Sequence, residues 1–136
     1  MAAATRTGLA RLRAICLALP AAEEKAAWGD PTFRVAGRIF AMHKIGDGRP
    51  SLWCKAEPGG QALLVGADPL RFYVPPYVGH RGWIGVRLDR RPAWREIAVL
   101  VERSYRLIAP KRLAAMDARA DASPAPSRRS GERRRA

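Results

Sequence analysis

Thr32-Phe33-Arg34-Val35-Ala36-Gly37-Arg38-Ile39-Phe40-Ala41-Met42-His43-Lys44-Ile45 decides the fold. Two runs rich in β-branched and aromatic residues flank Ala36-Gly37, a dipeptide suited to a tight turn, so the stretch predicts a β-hairpin. Strand alternation places Arg38, Phe40, Met42 and Lys44 on one face and Ile39, Ala41 and His43 on the other. On that reading Arg38 and Lys44 share a face, and the basic residues of the hairpin and the following strand need not all do so. Gly46-Asp47-Gly48-Arg49-Pro50 makes a second turn, and Ser51-Leu52-Trp53-Cys54-Lys55 follows as a third strand.

Outward from the hairpin, Leu9, Leu12, Cys16 and Leu19 fall on one helical face, which predicts a helix from about Thr7 to Leu19 ended by Pro20. Glu23-Glu24-Lys25 reads as a polar connection and Trp28-Gly29-Asp30-Pro31 as a turn. A short helix is expected at Gln61–Val65 and a strand at Trp83–Asp89. The segment 72–82 between them reads as a loop, rich in aromatics, Pro and Gly. Arg90-Arg91-Pro92 opens a last helix, whose apolar stripe is Trp94, Ile97, Leu100, Val101, Tyr105 and Ile108. The order α-β-β-β-α-β-α gives an α+β fold, an antiparallel sheet with N-terminal, middle and C-terminal helices.

The 136 residues suit one domain, taken as 1–116, followed by an Arg-rich tail at 117–136 that has no large apolar side chain to bury and is expected to be flexible. The formal net charge is +13. The tail holds six Arg and three acidic residues, a net of +3, which leaves +10 on residues 1–116. That excess points to a polyanionic partner, nucleic acid before an anionic membrane. No apolar run approaches the roughly 18–20 residues that span a bilayer. The basic start, Arg6 to Arg13, followed by Ala14–Leu19, superficially resembles a signal peptide. The helical pattern fits it better, and two cysteines without framework spacing do not suggest a secreted scaffold. A cytoplasmic location is expected.

The order and spacing of several short pieces over residues 19–113 resemble the MmcQ/YjbR family. They are Leu19-Pro20, Glu23-Glu24, Trp28-Gly29, Pro31-Thr32-Phe33, Arg38-Ile39-Phe40, Leu88-Asp89, Trp94, Ser104-Tyr105 and Ala109-Pro110-Lys111, with Pro76-Tyr77-Val78-Gly79-His80-Arg81-Gly82-Trp83 carrying the most weight. The resemblance implies an α+β fold with two projecting hairpins and a DNA-binding role of a double-wing type. Trp53 departs from it, standing where many relatives carry a basic residue, as does Pro58-Gly59-Gly60 in place of a more charged helix start.

From the residues themselves, Arg34, Arg38, Lys44 and Lys55 are candidate phosphate contacts. Gly79-His80-Arg81-Gly82 offers His80 and Arg81 as donors beside Tyr77 and Trp83, whose rings could stack on a base. Lys111 follows the last helix, where the macrodipole alone would favour a cation. The expected partner is nucleic acid, double-stranded DNA in particular, bound without marked sequence preference because no base-reading helix is visible. The second reading is a protein- or peptide-binding module using the loop 72–83 as an apolar groove. Catalysis is not expected. His43 and His80 are the only histidines, no metal-ligand spacing is present, and neither a catalytic residue nor a cofactor is assigned.

Overall fold

The computed structural model describes the backbone of residues 2–46 and 48–122. The strands are β1 (Glu23–Ala27), β2 (Asp30–Val35), β3 (Arg38–Gly46), β4 (Arg49–Lys55), β5 (Phe72–Tyr73) and β6 (Trp83–Arg87). The helices are α1 (Ala2–Leu17), α2 (Gly60–Ala67), α3 (Trp94–Ile108) and α4 (Lys111–Ala122), with a 3₁₀ turn at Gly79–Arg81. One six-stranded sheet runs in the order β1-β2-β3-β4-β6-β5, every pair antiparallel. The α+β architecture, the hairpin and the third strand stand as expected.

Three elements differ from expectation. Glu23-Glu24-Lys25 is not a connection but the edge strand β1, mostly exposed and therefore without an apolar alternation to betray it. Phe72-Tyr73 is a two-residue strand on the opposite edge. The chain does not end its folded part after α3. It turns at Ala109-Pro110 into α4, so Lys111 opens a helix rather than capping one. Leu113 and Asp117 of α4 are buried, and Asp117 accepts a hydrogen bond from Arg106 Nε at 2.7 Å. The boundary set at residue 116 thus falls within a helix. The rest of the expected tail, 123–136, lies outside the described residues.

The core lies on one face of the sheet. Phe33, Val35, Phe40, Ala41, Leu52, Cys54, Ile84 and Val86 meet Leu12 and Cys16 of α1 and Ile97, Leu100, Val101 and Tyr105 of α3. The apolar stripes read for both helices face this core. Burying each large side chain contributes on the order of 1.5–3 kcal/mol.

Phe40 and Ala41 are sequence neighbours, yet both are buried in that core. The cause is a β-bulge. Phe33 pairs with Ala41 and Arg34 with Ile39, so Phe40 has no partner on β2. Its ring packs edge-on against Tyr105, with centroids 5.3 Å apart. Ser104 of α3 secures the bulge: its hydroxyl donates to the Phe40 carbonyl at 2.7 Å and accepts from the Lys55 amide at 2.9 Å. The extra residue reverses the alternation of β3. Ile39 and Met42, expected on opposite faces, now share one, away from the helices.

Candidate nucleic-acid interface

The face away from the helices carries a concavity of about 840 Å³. Its floor is a second apolar cluster, Met42, Trp53 and Trp83, supported by Ile39, Tyr73, Val78 and Ile108. Register builds this floor row by row. Met42 pairs with Trp53, Trp53 with Gly85, and Gly85 with Tyr73, across four adjacent strands. A Cβ on Gly85 would fall inside the Tyr73 ring, so glycine is what lets that ring lie flat on the sheet. Lying there, Tyr73 accepts a hydrogen bond from Trp53 Nε1 at 2.8 Å. The Arg87 guanidinium stacks 4.3 Å from the Tyr73 centroid, and the Lys44 ammonium sits 5.0 Å from that of Trp53.

Cations rim this floor. Arg34, Arg38, Lys44, Lys55 and Arg81 all line the concavity. The bulge brings Ile39 onto this face opposite its partner Arg34, while Arg38, paired with Val35 beside the hairpin turn, joins the rim at the end of the strand. Lys44 is neutralised by Asp30, 2.9 Å away. Arg34 is oriented by Thr32, whose hydroxyl oxygen accepts from Arg34 Nε at 3.1 Å. Arg34, Arg38, Lys55 and Arg81 form no ion pair with a carboxylate among the described residues. Elsewhere Arg13 is paired with Glu24, Arg49 with Asp89, Arg71 with Glu96 and Arg106 with Asp117, while Arg90, Arg91, Arg95, Arg103 and Arg112 form no ion pair among the described residues but do not line the concavity. Arg13 and Arg49 hold the Glu24 and Asp89 carboxyls below the usual carboxylate range through those hydrogen bonds.

Two aromatic rings stand at the rim. Tyr77 is 87% exposed and Trp28 is 78% exposed, and both line the concavity. Both also have left-handed backbone, with φ of 68° and 54°. Trp28-Gly29 and Ala36-Gly37 are paired positive-φ turns that match the twist of their hairpins. A bulky aromatic at such a position is an outlier. Reading Trp28-Gly29 only as a turn missed Trp28 as a site residue. The signal was there, because a turn that favours Asn or Gly held a tryptophan instead.

The remaining site residues lie elsewhere. His80 is exposed and lines a smaller neighbouring cleft with Lys55 and Arg81. Lys111 lines neither concavity. The glycines around His80-Arg81 serve the loop itself. Gly79 is buried against Val74, where any Cβ would overlap, and Gly82 has φ +84°. Gln61 of α2 fixes this loop by donating to the carbonyls of Gly79 and Trp83 at 2.8 and 2.6 Å.

Cys54 is fully buried, and burial pushes its thiol up to about 12; burial raises Cys16 too. Neither is therefore a thiolate near neutral pH. Among the described residues no cluster of three or more His, Cys, Asp or Glu could hold a metal ion. Nor is any helix among them long and apolar enough to cross a membrane.

The family model described as YjbR matches residues 17–107. The crystal structure of a Deinococcus radiodurans protein with the DUF419 domain is similar, with a TM-score of 0.65 at 22% identity, over 90% of this chain and 93% of that one. At that identity the likeness speaks to the fold. Among curated proteins none matches.

Proposed function

Because the chain belongs to the YjbR family, we propose that it shares the DNA-binding role expected of that family and acts as a non-enzymatic nucleic-acid-binding protein of the cytoplasm. The observation that carries this reading is the set of four cations, Arg34, Arg38, Lys55 and Arg81, gathered without carboxylate partners around one aromatic floor. Side chains with compensating acids nearby would gain little from a phosphate; these four have no such competitor among the described residues. Arginine forks match phosphate oxygens in pairs, so three of the four are suited to that contact. Specificity for a base sequence does not follow, since phosphate contacts position a ligand without reading it.

The peptide-groove reading has less to stand on. Phe72, Pro75, Gly79 and Trp83 of the 72–83 loop are buried, which leaves Val74, Pro76 and Tyr77 as its exposed apolar side chains. Fluorescence anisotropy of labelled DNA across a salt series tests the function. Binding at ~50 mM salt that weakens steeply with added salt supports it, and absence of binding there, or indifference to salt, defeats it.

A further inference from the structure

The two exposed rings belong to neither apolar cluster, and their placement names the form of nucleic acid that fits. Trp28 sits in the β1–β2 turn at one edge of the sheet, while Tyr77 follows β5 at the other. The strand directions put them at opposite ends as well. β1–β2 turns at the end of the sheet away from Arg38, whereas the chain leaving β5 runs toward the end where Lys55 pairs with Trp83. The concavity thus crosses the sheet diagonally, with an aromatic ring at each end and cations between.

Resting on the nucleic-acid reading, we propose that this diagonal is a track for a single-stranded segment, with one base stacked on Trp28, another on Tyr77, and the intervening phosphates on Arg34, Arg38, Lys55 and Arg81. Paired bases in a duplex are stacked on one another and show a protein only their edges. A ring that lies open at the surface can use its face only on a base that is already unstacked. Both rings sit at positive φ in turns, where a smaller residue such as Asn or Gly would be less costly and where neither exposed ring packs into the core. The floor between them is apolar and already formed by buried side chains. The rim supplies the charge complementarity, as in strand-tracking grooves that combine cations with stacking platforms.

The full chain, titrated against labelled dT12, a blunt 12-base-pair duplex and an abasic 12-mer of equal charge at one salt concentration, tests this. dT12 should bind on the order of tenfold or more tightly than either control. Trp28→Asn and Tyr77→Asn keep residues that tolerate left-handed backbone, so both variants should fold. Each should weaken dT12 on the order of tenfold and leave the abasic strand unchanged. Equal affinity for all three probes, unaltered in the variants, would overturn the stacking track while leaving phosphate binding intact. Binding to none of them would remove the nucleic-acid reading itself.

Discussion

Ser104 shows how one buried hydroxyl can hold a site it does not touch. It is 0% exposed and joins the bulge carbonyl of Phe40 to the amide of Lys55, a residue of the cationic rim. Ser104→Ala would leave both backbone groups short of a partner, at a cost of about 1–3 kcal/mol in urea unfolding. Ser104→Thr, which keeps the hydroxyl, should recover part of it. His43 carries a different message. Burial lowers its pKa, and its Nε2 finds no hydrogen-bond partner among the described residues. The folded state therefore prefers the neutral ring, whereas the unfolded chain takes up a proton near pH 6.5. Stability from this residue is complete above about pH 6.5 and is lost as pH falls toward the depressed folded value. Urea midpoints at pH 7.5 and 5.5 should differ in the parent and differ less in His43→Leu. Neither role is written in the sequence, since Ser104 and His43 matter through strands and helices far away in the chain.

At the level of elements, most of the fold was legible because it rests on periodicity. The stripes of α1 and α3 and the runs of β2, β3, β4 and β6 each bury one face against a common core, and that burial imposes the spacing. β1 was illegible for the opposite reason: Glu23-Glu24-Lys25 is an exposed edge held by backbone pairing to β2 and by the Arg13–Glu24 ion pair. α4 was hidden by the polar composition that made its residues resemble a tail. The bulge mattered most. A single extra residue at Phe40 moved Ile39 onto the face of Met42 and Lys44, and no local pattern announces a bulge. The residue types that line the concavity were thus legible in the sequence, and the face taken by Ile39 and Phe40 was not. The row from Met42 to Tyr73 gives the element-scale test. Gly85→Ala must displace the Tyr73 ring and with it the Trp53 hydrogen bond. A destabilisation of about 1–3 kcal/mol is expected, as for overpacking, with a change in tryptophan fluorescence from the altered setting of Trp53.

For the whole molecule, the question is where the charge goes. Composition puts +10 on residues 1–116 but says nothing of its arrangement. The fold sorts it. Arg13, Arg49, Arg71 and Arg106 meet Glu24, Asp89, Glu96 and Asp117. Among the described residues, Arg95, Arg103 and Arg112 stand unpaired on α3 and α4, and the open sheet face gathers four cations clear of carboxylates around one concavity. One face of the sheet is thereby closed by α1 and α3 as a core, and the other is left as a charged, aromatic-floored surface. The proposed function depends on that division of labour. Its most direct test replaces Arg34, Arg38, Lys55 and Arg81 together by Gln and measures DNA affinity against salt for the variant and the parent. The expected result is a steep line of log K on log [salt] for the parent and a shallower one for the variant. Every phosphate that the variant no longer engages should reduce the slope by roughly 0.9 on duplex and 0.7 on single strands. Equal slopes and equal affinities, with the variant folded, would contradict a phosphate-binding role for this face.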